Sequence, residues 1–304
     1  MEFLDAGINP YSETLDFLRD VSVQGAPLLP NLGLGGGKVF YLDPTNGSDN
    51  NSGRGPTNAL ATMTKAISKC VSNRGDVIVR MPGTETVTAT VTQNKVGITI
   101  IGTTAAGNIE TPASYLMYNS TTGPALTITA ACTIIGMAFR AIATPATNPA
   151  VLVSADKVVI KRCLFQHLAG AIVGVQLNGI DDTLIEGCIF KDYDAAGDSP
   201  INLVINVAAV CNRTVVRNCR FINNVQCIEH QATALPSDFL YEGNTMIPAA
   251  AGTYFLQVNT LGAVYGLLCN NNLTVANNDL LADINLAGLQ ALGVQAINNH
   301  YLET

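Results

Sequence analysis

The 304 residues predict an all-β chain wound as a parallel β-helix, and three observations carry that expectation. The first is an internal repeat. Ile160-Lys-Arg-Cys163-Leu-Phe165, Ile185-Glu-Gly-Cys188-Ile-Phe190 and Val216-Arg-Asn-Cys219-Arg-Phe221 share the pattern apolar-x-x-Cys-x-Phe. Degenerate copies end at Phe139, Met246 and Leu273, with a weaker last copy at Leu302, and neighbouring copies lie 25 to 31 residues apart. That period, with in–out alternation inside each copy, fits strand-turn-strand coils and not helical pairs. The second observation is composition. Hydrophobic residues make up 48% and aromatics only 6%, with no Trp, while charged residues are 13%, about half the usual ~25%. The core must be built from Val, Ile, Leu, Ala and Cys, and the surface largely from neutral polar side chains. The third is punctuation: Asn148-Pro149, Asn178-Gly179, Asp181-Asp182, Ser199-Pro200 and Asn223-Asn224 separate the copies with turn-forming residues.

In chain order, residues 1–37 form an extended arm that either folds back on its own rod or docks on a larger assembly. It carries Phe3, Leu4, a capped amphipathic turn around Ser12 with Leu15, Phe17 and Leu18, and a run holding Leu28, Leu29 and Leu32. Gly35-Gly36-Gly37 hinges the arm to residues 38–304, one β-helix domain. Over about 59–72, Leu60, Met63, Ala66, Ile67, Cys70 and Val71 recur at helical spacing, so a helix is expected to cap the open end of the coils. Coils are expected from about 77 to 302, about eight in number and stacked to a rod roughly 40 Å tall.

Stacking turns the repeat into two ladders. Cys163, Cys188 and Cys219 form one inside the coils, and Phe139, Phe165, Phe190 and Phe221 the other. Three thiols in file leave one unpaired and all have apolar neighbours, so packing is preferred to a disulfide. Asn-rich turns at Asn270-Asn271-Asn272, Asn277-Asn278 and Asn298-Asn299 can stack their amides between coils. The N-terminus lacks a basic and an apolar signal region, in line with reduced thiols in a cytosol.

Candidate chemistry is sparse. Asp192, Asp194 and Asp198 are the densest acid cluster, and paired carboxylates can break a glycosidic bond, but Asp also favours turns by bonding its own backbone. Asp43, Asn46, Asp49 and Asn51 have the alternate oxygens Ca²⁺ takes, yet Arg54 stands where a twelfth-position Glu belongs, and an Asn-Gly turn is the simpler reading. His167, His230 and His300 fall on different coils. The expectation is no catalytic residue, no metal and no cofactor. A net charge of −7 without a basic run predicts no nucleic-acid partner, and no apolar stretch reaches the ~18–20 residues of a membrane span.

One resemblance is specific. Tyr41-Leu-Asp-Pro-Thr-Asn-Gly-Ser-Asp49-Asn-Asn-Ser-Gly53, a capping helix, Gly75-Asp-Val-Ile-Val-Arg-Met-Pro-Gly83 and Gly97-Ile-Thr-Ile-Ile-Gly102 resemble the opening of the pectate-lyase-like right-handed β-helix superfamily. That superfamily includes phage tailspikes, virion proteins and polysaccharide-active enzymes. The resemblance spans about residues 38–302 and implies a right-handed coil. Pectate-type lyases use calcium-binding Asp residues and an Arg base; polygalacturonase-type hydrolases use Asp pairs with Gly-His-Gly and Arg-x-Lys. Asp181-Asp182 is present here without the matching His or Arg-x-Lys. The implied function is a structural virion protein of a tailed phage, folded in the host cytoplasm. It is expected to be a homotrimeric capsid cement or decoration protein. The arm residues named above would dock on the major capsid protein or another virion protein. The alternative is a tailspike-like protein that binds or cleaves a host glycan.

Overall fold

The computed structural model describes residues 22–23, 26–27, 36–103, 114–118, 123–141, 149–167, 173–193, 199–204, 211–224, 226–231, 237–248, 254–258, 266–275, 284–285, 294–297 and 299–303. The right-handed parallel β-helix implied by the sequence is the fold observed. Three parallel sheets of ten, nine and eight strands run the length of the rod. Each coil contributes one strand to each in the same order: Val159–Lys161 to the first sheet, Leu164–His167 to the second and Val173–Asn178 to the third. Among the described residues, eight coils are complete on all three sides.

The stack begins earlier than residue 77. Val39–Leu42 already pairs in register with Val77–Arg80, as the outermost strand of the first sheet. The capping helix is also shorter than 59–72, spanning Met63–Lys69. Its ends are set by two aspartates. Asp49 accepts the N–H groups of Ala61 and Thr62 (both 3.0 Å) and the Thr62 hydroxyl (2.8 Å), which fixes Thr62 as the N-cap. Residues before it stay extended because Leu60 exchanges backbone bonds with Tyr41 and Asp43. At the other end the Asp76 carboxylate takes the Val71 N–H (2.7 Å) and pulls the chain out of the helix. The inward face of the helix, Met63, Ala66 and Ile67, seals the first coil against Phe40, Leu42 and Ile78.

From Gly136 onward, the corner between the first and second sheets takes one left-handed residue in each of six successive coils. Gly136, Arg162, Gly187, Asn218, Gly243 and Asn270 supply it, with φ from 49° to 67°. Gly and Asn take this conformation at little cost, whereas Arg162 does so against roughly 1–2 kcal/mol. Immediately after that corner come the ladder residues. Phe139, Phe165, Phe190 and Phe221 stack face to face with centroids 5.1, 4.9 and 5.1 Å apart, the coil spacing itself. Phe255 closes the file edge-on to Phe221 at 5.9 Å.

Candidate functional site

Cys163, Cys188 and Cys219 lie in file and fully buried. Each thiol points at the carbonyl of the apolar repeat position one coil earlier: Cys188 Sγ to Ile160 O (3.7 Å) and Cys219 Sγ to Ile185 O (3.7 Å). Burial pushes the Cys163 and Cys219 thiols well above the usual range, so they stay protonated donors. Asn244, Asn271 and Asn299 then occupy the same corner in the next three coils. Each amide nitrogen donates to the preceding coil's carbonyl, at Val216 (3.0 Å), Tyr241 (3.0 Å) and Leu268 (3.2 Å). Each amide oxygen accepts a backbone N–H from the residue below it. This asparagine ladder continues the cysteine ladder through the Asn-rich turns.

The acidic candidates among the described residues, Asp181, Asp182 and Asp192, are committed to stapling. Arg213 spans Asp181 (3.1 Å) and Asp182 (2.5 Å), and Asp181 also accepts the Asn212 N–H (3.0 Å). Asp192 accepts Gln166 Nε2 (3.0 Å) with one oxygen and Asn223 Nδ2 (3.2 Å) with the other. Gln166 in turn accepts from Arg140 (2.7 Å), whose guanidinium lies 4.6 Å over the Tyr115 ring. A polar chain thus crosses five coils on the outside of the second sheet. Asp194 and Asp198 lie outside the described residues, as do the arm positions Phe3, Leu4, Leu15, Phe17, Leu18, Leu28, Leu29 and Leu32.

The oxygens of the Asp43–Asn51 loop serve the loop itself. Asp43 accepts the N–H groups of Thr45 (2.8 Å) and Asn46 (3.0 Å) and the Asn46 amide (3.2 Å), while Asn51 Nδ2 donates to Ala59 O (2.8 Å). His167 shares a 3.1 Å hydrogen bond between Nδ1 and Asp192 O and stacks on Tyr193. His230 is fully buried with Nε2 2.7 Å from the Tyr241 hydroxyl, and burial pulls its pKa down to about 3. At neutral pH it is an uncharged core residue. His300 lies in the last strand of the second sheet.

Three features went unread in the sequence. On the first sheet Lys161, Glu186, Arg217 and Glu242 are register partners on four successive coils and alternate in sign. Glu186 is held by Lys161 (2.8 Å) and Arg217 (2.7 Å). Near the cap, Arg80 is fully buried and donates to the carbonyls of Gly83 (3.1 Å) and Tyr115. Its partner Glu85 (3.9 Å) takes the Met63 N–H (2.9 Å) and so ties the helix to the second coil side. Burial pulls the Arg80 pKa down to about 10 and pushes Glu85 up. On the third sheet, Gln176, Asn202, Glu229, Gln257 and Asn285 are register partners on five successive coils.

No family model matches the chain, and neither does any curated protein. Solved structures do. A rhamnogalacturonan lyase aligns with a TM-score of 0.54 at 16% identity, over 79% of this chain and 69% of that one. A pectate lyase aligns at 0.53 and 13%, over 90% and 79%. The pectin methylesterase from carrot aligns at 0.53 and 11%, over 87% and 83%. The likeness is one of fold. All are parallel β-helices, and two kinds of reaction on one scaffold show that the coil does not choose the chemistry.

Proposed function

We propose that this chain is a structural virion protein, a β-rod fixed to a tailed-phage particle by its N-terminal end, with the arm residues docking on the major capsid protein or another virion protein, as a homotrimer. The observation that supports this reading is the use made of the acids. Asp43, Asp49, Asp181, Asp182, Asp192 and Glu186 spend their oxygens on hydrogen bonds that close turns or join coils. A general acid or base needs an oxygen facing substrate; these face their own chain.

A second reading, a glycan-binding or glycan-cleaving spike, draws on the third-sheet row. Polar residues in register on successive coils match the repeat of a polymer, and the neighbours' names refer to polysaccharides. The two readings part in one assay. The full chain is incubated with host surface polysaccharide, and reducing ends and unsaturated products are followed. The structural reading expects no release. Release that disappears in an Asp192→Ala, Asp194→Ala, Asp198→Ala variant, or in Glu229→Gln, would overturn it.

A further inference from the structure

We propose that an acidic stretch of the arm, residues 13–20, seats on a basic rim with two exposed valines at the N-terminal end of the same rod. Asp76 organises that rim. Its buried carboxylate accepts the N–H groups of Lys38 (2.7 Å) and Val71 (2.7 Å) and both arms of the Arg74 guanidinium (2.7 and 2.6 Å). The exit of the arm, the end of the capping helix and the start of the coils are thereby gathered at one point. Asn73 N–H donates to Val96 O (2.8 Å) and Val96 N–H to Ser72 Oγ (3.2 Å), which sets Val71 and Val96 on adjoining turns. They are 49% and 39% exposed, two of the four large apolar side chains so exposed among the described residues. Lys69 and Lys95 flank them, and Lys65 lies one helical turn from Lys69 on the same face.

Charge singles out what fits there. Residues 36–103 hold seven Lys or Arg and four acids, in a chain whose net charge is −7. Those four acids are withdrawn from the surface field. Asp43, Asp76 and Glu85 are buried, and Asp49 is bound to the helix start. The outward charge of this end is cationic. Residues 1–35 run the other way, with five acids against Arg19. Within them Glu13, Asp16 and Asp20 are interleaved with Leu15, Phe17 and Leu18, the acidic and apolar complement of the rim. From residue 20 to 36 the chain spans at most ~53–58 Å, ample to double back onto a rim beside its own exit. The tether supplies an effective concentration in the millimolar range, so a weak contact suffices.

The inference rests on the reading above only in that both give the arm a docking role: the stretch is latched in the free rod and is what a particle would take over. Trypsin reports the latch, because Arg19 is the one Lys or Arg in residues 1–37. In the full-length protein at low salt, cleavage after Arg19 should be at least about tenfold slower than in a Lys69→Glu, Lys95→Glu variant, since the open population sets the rate. A Glu13→Gln, Asp16→Asn variant should speed it equally from the other side of the contact. Raising salt to roughly 1 M, where the Debye length is ~3 Å, should bring the native rate up to that of both variants. The native rate should not depend on protein concentration. Equal rates in the native chain and both variants at low salt would overturn the proposal. Protection that grows with protein concentration would give the seat to a second copy and overturn it as well. A latch that behaves as expected in a chain that never joins particles would sink the virion reading alone.

Discussion

The backbone N–H of Cys219 donates to the side-chain oxygen of Asn244, 2.9 Å away, and at that bond a thiol ladder becomes an amide ladder. The two residue types do one job with different strength. The Cys219 sulfur lies 3.7 Å from the carbonyl one coil back and 3.4 Å from the Arg217 carbonyl of its own coil, whereas the Asn244 amide nitrogen lies 3.0 Å from the carbonyl one coil back. Asn244→Ala should therefore leave the buried Cys219 N–H without its partner and destabilise the rod by about 1–3 kcal/mol. Asn244→Cys should recover part of that, and Cys219→Asn should match the native chain. Urea midpoints rank the three; an unchanged midpoint for Asn244→Ala would contradict the ladder's role.

Phe190 has a ring on either side at 4.9 and 5.1 Å, so it cannot be removed without a void. Phe190→Ala should cost about 3–5 kcal/mol and Phe190→Leu clearly less. Equal midpoints for the two variants would show that the coils collapse around the gap.

Buried His230 makes the rod acid-sensitive. Its folded pKa of about 3 lies below the ordinary imidazole value of 6.5, so the unfolded chain binds the extra proton first. Stability is complete above pH 6.5 and is lost as pH falls toward 3. Between pH 6.5 and 4.5 this group should account for about 2–3 kcal/mol. His230→Phe should flatten that part of the pH profile, and a slope unchanged in the variant would refute the assignment.

Glu186 acts in the same direction at lower pH. Its hydrogen bond from Lys161, joined by Arg217, holds the carboxyl below its usual value, so its contribution is present above the unfolded pKa and fades as acid protonates the folded form. Each exposed pair is worth ~0–1 kcal/mol. Glu186→Lys should cost more than Glu186→Gln, and the gap should narrow in high salt because it sets three cations in file. A gap independent of salt would mean the row is not electrostatic.

The repeat was legible because Cys163, Cys188, Cys219 and the four Phe sit at a corner that is two residues long in each of their coils. The capping helix was legible from the spacing of Met63, Ala66, Ile67 and Cys70, but its ends were not, since Asp49 and Asp76 set them from outside the helix. The alternating Lys161, Glu186, Arg217 and Glu242 stand one residue after the apolar repeat position and were open to the same alignment. The third-sheet row was hidden, because loops of unequal length separate its strands from the repeat and only backbone register aligns Gln176 with Asn202 and Glu229. His230 and Tyr241 meet from different sheets, a pairing that no local pattern encodes.

The central claim is that the rod is a particle component held by its N-terminal end. Mass spectrometry of purified virions tests it most directly, with the full chain compared against a chain lacking residues 1–34. The account predicts the full chain on particles in regular copy number, and the shortened chain folded and soluble but absent from them. A shortened chain present at full occupancy, or a full chain missing from purified particles, would contradict it.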